Sequence, residues 1–250
     1  MNTPVTDELS RYFTVQVIDD SPRLLEESYR LRYQVYCLER LFLPAQDYPD
    51  EMETDSFDEH SVHIGVLDLQ GEVISTARLI ERSAIGLPLF QHCSLFPNAP
   101  SLNDATHRIV EVGRLAMSRK YNRRAGDAFY GLQGATGRTD GVERRRGGVV
   151  ALNLYKALYQ ASKRRGFTHW LAATEQSLQR LVVKYGFPFK AIGPETDYYG
   201  CVAPYLMDLR EFDQVILSGR IPILDEFLDQ LEPEFRPVER HAICLAEVAE

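Results

Sequence analysis

Cysteine is scarce in this 250-residue sequence, and its four positions form no CxxC pair. They are Cys37, Cys93, Cys201 and Cys244. The six histidines likewise lack the spacing of metal ligands. Disulfide scaffolds and structural zinc sites both require closely patterned cysteines. The sequence therefore favours reduced thiols, and we expect neither a disulfide framework nor a metal.

Long apolar runs are also absent. No segment reaches the roughly 18 apolar residues of a membrane span, and the first residues lack the basic and apolar segments of a signal peptide. We therefore expect a cytoplasmic protein without a membrane span. Basic residues are in the minority, with 28 Lys and Arg against 36 Asp and Glu and a net charge of −8. This balance argues against nucleic acid as a general partner.

Regular hydrophobic patterns cover most of the chain. Because neither a linker nor an internal repeat is evident, we interpret residues 1–250 as one domain. The patterns predict an α/β fold with a central mixed sheet flanked by helices. The predicted strands are residues 13–18, 61–69, 72–80, 109–118, 168–174, 187–193 and 201–209. The predicted helices are residues 22–36, 148–166, 177–186 with Ser177 as the cap, and 222–233.

Two further segments have their own character. Residues 81–107 contain three prolines and are predicted as loop. Residues 210–250 are predicted as a C-terminal helical extension, because five apolar side chains between Ile223 and Leu231 share one helical face.

One predicted strand carries two charges that a regular strand would place on opposite faces. The stretch "EVGRLAMS" holds Glu111 and Arg114 in an otherwise apolar run. Positions three apart in a strand point in opposite directions. Gly113 lies between them, and a glycine inside a strand often marks a β-bulge. A bulge here would bring both charged side chains towards one face and free backbone groups from the ladder.

The segment of residues 122–148 differs from the rest in composition. Between Arg123 and Gly148 it holds six arginines, three acidic residues and seven of the sixteen glycines. We predict a basic, mobile insertion. Three interpretations remain open: it docks an acidic protein, it binds the phosphates of a ligand, or it is a solvated loop. The first is favoured, because clustered arginines suit an acidic partner.

The order of elements and several motifs resemble the GNAT acyltransferase superfamily. Arg123-x-x-Gly126 resembles its phosphate-binding loop, and "VVKYGF" resembles the end of a later helix. A sharper resemblance is to N-acyl-homoserine lactone synthases. Their pattern is an arginine followed by an aromatic residue, D-x-x-D, an arginine ending a strand, and E-x-x-R. The matching residues here are Arg32, Tyr36, Asp55, Asp58, Arg78, Glu111 and Arg114.

The chain departs from those synthases at Phe42, where they carry tryptophan, and in its basic insertion. The stretches "LRYQVYCLE", "YPDEMETDSFDEHSVH", "YNRRAGD" and "KYGFPFKAIGP" resemble the PEP-CTERM/exosortase system-associated acyltransferases, which are similar to N-acyl amino acid synthases. This resemblance spans residues 29–209. It implies a GNAT-like fold. It also implies transfer of a fatty acyl group to a small amine from a thioester of acyl carrier protein or coenzyme A, with an amino acid as the favoured acceptor. It implies no tightly bound cofactor.

The resemblance also implies roles for individual residues. Glu111 is expected to act as the base, since a carboxylate in an apolar strand has a raised pKa, with Arg78 and Arg114 beside it. The expected substrate-binding residues are Arg32, Tyr36, Phe42, Asp55 and Asp58. The expected contacts to carrier protein or coenzyme A are Arg123, Arg124, Gly126, Arg144, Arg145 and Arg146.

Other interpretations of these residues stay open. The charged residues could form a structural salt-bridge network, and Glu111 could merely pair with Arg78 or Arg114. Two alternative functions are also considered: synthesis of acyl-homoserine lactones from adenosylmethionine, and a non-catalytic module that binds acyl groups or carrier protein.

Overall fold

The computed structural model describes residues 13–102, 107–119 and 142–238, and for residues 142–149 it gives the backbone alone. The strands are β1 Thr14–Val17, β2 Ser61–Leu67, β3 Val73–Glu81, β4 Ile109–Met117, β5 His169–Thr174, β6 Lys190–Ala191, β7 Thr196–Asp197 and β8 Cys201–Asp208. The α-helices are α1 Pro22–Tyr33, α2 Pro88–His92, α3 Val142–Arg164, α4 Gln176–Lys184, α5 Leu209–Leu217 and α6 Pro222–Asp229.

The strands form one mixed sheet in the order β1-β2-β3-β4-β5-β8-β6, with β7 paired to β8. All neighbours are antiparallel except β4 and β5, which run parallel. Since a parallel pair needs a long crossover connection, α3 lies between these two strands in the chain. The sheet flanked by helices confirms the predicted fold class.

Helices cover both faces of the sheet. Helix α3 packs across β1, β2 and β3, and its apolar side chains join a core that includes Trp170, Phe187 and Phe212. Helix α1 packs across β2, β3 and β4 on the other face. A second cluster on that face includes Ile109 and Leu171. Val110, next to Ile109 in β4, and Trp170, next to Leu171 in β5, belong to the first core. Successive residues of β4 and β5 therefore face opposite sides of the sheet.

The first helix changes its geometry before it ends. Proline at its first turn fixes the start of α1, as predicted. From Gln34 to Glu39 the backbone continues as a π-helix, with the amide of Arg40 bonded to the carbonyl of Val35. Such π-helical turns occur often at functional sites. This one sets the direction in which Tyr36 leaves the helix.

Three predictions of local structure are wrong. Residues 81–107 contain the short helix α2, whose first position is Pro88. Ser177 lies inside α4, and the capping position is Glu175, without a side-chain cap bond. The strand predicted at residues 187–193 is reduced to the two residues of β6.

Helix α3 begins earlier than the sequence pattern indicates. It starts at Val142 instead of Gly148, so residues 142–148 of the predicted insertion have a helical backbone. The residues of the insertion that precede Val142 lie outside the described part of the chain. The mobility of the insertion therefore stays a prediction.

Helices α5 and α6 lie in the predicted C-terminal extension. Phe212 of α5 and Phe227 of α6 pack against each other with ring centroids 5.6 Å apart, and both are fully buried in the first core. Apolar residues at helical spacing therefore pack this extension onto the sheet. Among residues 13–102, 107–119 and 142–238, no helix is long and apolar enough to cross a membrane.

Candidate active site

Strand β4 contains the predicted bulge. Arg78 of β3 pairs with Gly113, and Thr76 pairs with Ala116, so Arg114 and Leu115 together face the single residue Ala77. The left-handed residue of the bulge is Arg114, with φ of 51°, and not the neighbouring glycine. A left-handed backbone is strained for a side chain other than glycine, and such strain concentrates at functional sites.

The extra residue reverses which face the following side chains take. Leu115 packs against the first core, whereas Ala116 packs against the cluster around Val35 on the other face. As a result Arg114 lies on the same face as Glu111, and both side chains line one cavity. The bulge thus explains how two charged side chains three residues apart in a strand can lie on the same face.

The cavity lies where β4 and β5 separate. The ladder between them ends at the pair Glu111 and Leu171, although β4 continues to Met117 and β5 to Thr174. Residues 112–115 and 172–174 line opposite walls of a cavity of about 130 Å³. The backbone of these segments has no ladder partner across the gap. A gap between parallel strands is a place where a ligand can pair with strand backbone.

The cavity reaches both faces of the sheet and differs in character between them. On the face of α1 it is lined by the charged side chains of Arg78, Glu111 and Arg114 and by Tyr198. On the face of α3 it is lined by apolar side chains, among them Trp170, Leu178, Val182 and Phe189. A molecule with a polar reacting group and an apolar tail fits this arrangement.

Among the described residues at the charged end, Glu111 is the carboxylate that forms no ion pair with the arginines. Its side chain is buried, and Oε2 accepts a hydrogen bond of 2.9 Å from the amide of Leu89 in α2. Burial raises the pKa of Glu111 to about 7, although that amide and the charges of Arg78 and Arg114 oppose the rise. No ion pair joins Glu111 to another described side chain. The carboxyl group can therefore gain or lose a proton near neutral pH.

The surrounding arginines are occupied by three other carboxylates. Arg32 donates to Glu53 through Nε at 2.6 Å and to both oxygens of Asp58 at 2.6 and 3.1 Å. Arg32 and Glu53 are almost completely buried. Burial would raise the pKa of Asp58, but the hydrogen bond from His63 and the charges of Arg32 and Arg78 hold it well below its usual range.

Arg78 and Arg114 complete the network from the two strands. Arg78 donates to both oxygens of Asp55 at 2.7 and 2.6 Å and also to Asp58. Arg114 donates to Glu53 through Nε at 3.0 Å and to Asp55 through Nη2 at 2.9 Å. Three arginines thus balance three carboxylates, and these bonds fasten the segment of residues 53–58 to β3 and β4.

His63 extends the network to the start of α1. Its ring nitrogens lie 2.8 Å from Asp19 and 3.0 Å from Asp58. Burial would lower the pKa of His63, but the hydrogen bonds with the two carboxylates raise it above its usual value. The imidazole therefore connects β2 to the turn that precedes α1 and to the ion network.

Aromatic side chains surround the outer side of Arg114. Its guanidinium lies 5.6 Å from the ring centroids of both Tyr36 and Tyr199. The hydroxyl of Tyr36 donates to the carbonyl of Leu115 at 3.1 Å, which ties the π-helix to the bulge. Burial raises the pKa of Tyr36 to about 12, so this hydroxyl stays protonated. Phe42 packs against Tyr36 with ring centroids 6.3 Å apart.

The predicted site residues fall into three groups. Five of them line the cavity, namely Arg78, Glu111, Arg114, Tyr36 and Phe42. Arg32, Asp55 and Asp58 do not line it and belong to the ion network beside it. Arg123, Arg124 and Gly126 lie outside the described residues, and Arg144, Arg145 and Arg146 are on the first turns of α3, where the backbone alone is described.

Sequence reasoning missed Glu53, His63 and Tyr198. Glu53 lies two residues before Asp55 in an acidic stretch that is typical of exposed loops. The sequence pattern therefore does not indicate that its side chain is buried. Tyr198 follows the short strand β7 and stacks on His92 of α2, with ring centroids 4.0 Å apart. Within residues 13–102, 107–119 and 142–238, no group of three or more His, Cys, Asp or Glu side chains is arranged so that it could hold a metal ion.

Comparison with known proteins agrees with this architecture. Residues 31–130, which include the π-helix, the ion network and the bulge, match the family model of an acetyltransferase (GNAT) domain. No curated protein matches the sequence.

Several solved structures share the fold. FeeM, an N-acyl amino acid synthase from uncultured soil microbes, has a TM-score of 0.54 at 14% identity, over 81% of this chain and 93% of its own. The acyl-homoserine lactone synthase LasI has a TM-score of 0.54 at 17% identity, over 79% of this chain and 90% of its own. BjaI, a coenzyme A-dependent acyl-homoserine lactone synthase, has a TM-score of 0.57 at 19% identity, over 84% of this chain and 90% of its own. Residues 31–130 thus match a GNAT domain whose cavity lies at the bulge of β4, and this match supports an acyltransferase.

Proposed function

We propose that the protein transfers a fatty acyl group from a thioester to the amine of a small acceptor, with an amino acid as the acceptor. The observation that carries the proposal is the cavity through the sheet, which joins a buried carboxyl group of pKa about 7 to an apolar chamber. The thioester carbonyl lies in the gap between β4 and β5, and the acyl chain lies in the apolar chamber.

Glu111 accepts the proton of the acceptor amine. The neutral amine attacks the thioester carbonyl, a C–N bond forms, and the C–S bond then breaks to release the thiol, which takes up a proton. Backbone N–H groups of residues 112–115 that face the gap supply donors for the oxyanion, and this edge of β4, which has no ladder partner in β5, can pair with the pantetheine arm as an added strand.

The ion network positions these groups without taking part in proton transfer. Its carboxylates are held in the ionised state by arginines, so they are poor bases at neutral pH. Arg32, Asp55 and Asp58 are therefore proposed to hold Arg114 and Arg78 against the cavity, and the acceptor contacts the side chains that line it, including Tyr36 and Phe42.

The narrower assignments rest on the sequence. The motif resemblance supports a place among the PEP-CTERM/exosortase system-associated acyltransferases, with a thioester of acyl carrier protein as the donor and thioesters of coenzyme A as the alternative. The excess of arginine in residues 122–148 supports the carrier protein, because acidic carrier proteins are attracted to clustered arginines.

Charge reversal of Arg144, Arg145 and Arg146 to glutamate is expected to raise KM for acyl carrier protein and to reduce its dependence on salt, with little change in kcat. The control reverses three exposed arginines elsewhere, Arg23, Arg180 and Arg220, which changes the net charge equally. Steady-state kinetics over a series of salt concentrations measures both. Equal KM values for the two triple variants at every salt concentration would contradict docking at this segment.

The proposed reaction is tested with long-chain acyl carrier protein and, separately, acyl-coenzyme A, each with pooled amino acids. Thiol release is followed, and the products are identified by mass spectrometry. A product with the mass of the acyl group joined to one amino acid supports the proposal and identifies donor and acceptor. Labelled adenosylmethionine in a parallel reaction would release methylthioadenosine if the chain were a lactone synthase. Carrier binding without thiol release would instead favour a binding module.

A further inference from the structure

His63 of β2 is buried between two carboxylates. Only 3% of its side chain is exposed, and its Nδ1 lies 2.8 Å from Oδ1 of Asp19 while its Nε2 lies 3.0 Å from Oδ1 of Asp58. A neutral imidazole has one N–H group, so it donates to one of these oxygens and turns the lone pair of its other nitrogen towards the second carboxylate. The imidazolium donates to both, and the geometry therefore fits the protonated ring.

The charges around the ring also balance when His63 is protonated. Three arginines of the ion network face its three carboxylates. Asp19 adds a fourth carboxylate, which also accepts hydrogen bonds from the backbone amide of His63. An imidazolium supplies the fourth positive charge. The charged and titratable groups that surround the ring are Asp19 before α1, Tyr29 and Arg32 of α1, Asp58, and Arg78 opposite His63 on β3.

One oxygen of Asp58 connects His63 to the wall of the cavity. Oδ1 of Asp58 faces Nε2 of His63 and accepts from Nη1 of Arg32, at 2.6 Å, and from Nη1 of Arg78. Arg78 lines the cavity, whereas His63 does not. The buried Nε of Arg78 has no hydrogen-bond partner among the described residues. The orientation of this guanidinium therefore depends on the bonds of its two Nη atoms to Asp55 and Asp58.

We propose that His63 is a positioning residue for acyl transfer: as an imidazolium it holds Asp58 in place, and through Asp58 it orients Arg78 at the cavity. The inference rests on the proposed function, although the charge of His63 is measured without any turnover. A buried carboxylate that loses a donor is destabilised, and it moves towards its remaining partners. A displacement of about 1 Å in a group that positions reacting atoms lowers a rate by up to about 10²-fold.

The charge of His63 is measured by an NMR titration of the wild-type protein, in which the shifts of the ring nitrogens report protonation. The resonances are assigned through their correlation with the backbone of His63. Because the hydrogen bonds with two carboxylates raise the pKa of His63, we expect it to titrate above the ordinary value of about 6.5. Both ring nitrogens should carry a proton below the midpoint. Titration at or below the ordinary value overturns the inference.

His63→Gln keeps a polar side chain that cannot become a cation. It is expected to lower kcat by about 10-fold or more with little change in KM for the acyl donor, because Arg78 is displaced while the apolar chamber is untouched. His60→Gln is the matched control and should leave kcat unchanged, because His60 is exposed and lies three residues earlier in the chain.

Denaturant unfolding of the same proteins across pH gives an independent measure of the charge. A raised pKa in the folded protein stabilises it fully below about pH 6.5, and this contribution is lost as the pH rises through the raised pKa. The difference in the free energy of unfolding between wild type and His63→Gln should therefore shrink as the pH rises. A difference that does not change with pH contradicts a charged His63.

The outcomes separate this role from the proposed reaction. A kcat of His63→Gln within a few-fold of the wild-type value overturns the positioning role and leaves acyl transfer intact. If the wild-type protein consumes no thioester with any acceptor, the proposed function itself fails, and the positioning role fails with it. The NMR titration still decides whether His63 is an imidazolium.

Discussion

Glu111→Gln is expected to lower kcat by about 10²-fold or more, because glutamine cannot accept a proton from the acceptor amine. The substitution preserves shape, and the amide oxygen of glutamine can still accept the hydrogen bond from Leu89. The ion network is untouched, since Glu111 forms no ion pair within the described residues. Binding of the acyl donor should therefore persist, and the loss should fall on the chemical step.

The measurement is steady-state turnover with a saturating thioester donor, together with donor affinity. Glu26→Gln is the matched control, because Glu26 is exposed on α1 and should leave turnover unchanged. Turnover of Glu111→Gln within a few-fold of the wild-type value would show that another group takes the proton.

Arg32→Met is expected to lower the free energy of unfolding by about 3–5 kcal/mol, the usual cost of removing one partner from a buried ion pair. Only 1% of the Arg32 side chain is exposed, and it holds Glu53 and Asp58 at the same time. Without it, both carboxylates remain buried with too few donors. The segment that fastens Arg78 and Arg114 should loosen, and turnover should fall together with stability.

Denaturant unfolding measures this change. The control Arg23→Met removes an exposed ion pair with Glu27, in which 62% of the arginine side chain is accessible. A pair of that kind contributes about 1 kcal/mol or less. A loss for Arg32→Met no larger than that of the control would contradict the structural role of the network.

Much of the sheet could be predicted from alternation of apolar residues. The hairpin of β2 and β3 and the bulged strand β4 agree with their patterns, since one buried face leaves a clear period in a strand. The short helix α2 was not predicted, because five residues are too few to show helical periodicity. The early start of α3 was not predicted either, since two adjacent glycines usually weaken a helix.

The site was predicted in part, for a physical reason. Motif spacing indicated Asp55, Asp58, Arg78, Glu111 and Arg114, and a glycine signalled the bulge that unites the last two. Glu53 was missed because its burial depends on Arg32 and Arg114, which come from distant parts of the chain. An acidic residue in a polar stretch looks exposed until the guanidinium groups that neutralise it are placed.

The chamber was also beyond sequence reasoning. Tyr155 follows the helical apolar pattern of α3 like any core residue. Only the separation of β4 from β5 turns part of that core into the wall of a cavity.

The pH dependence of kcat/KM for the acceptor amine, in wild type and Glu111→Gln, tests the central claim most directly. The base acts when ionised, so with a pKa of about 7 the wild-type rate should rise as pH increases through that value and level off above it. Ionisation of the acceptor itself appears in both proteins and cancels in their ratio. The account predicts that the ratio of wild type to variant falls as pH drops below about 7. A ratio independent of pH would contradict proton transfer to Glu111.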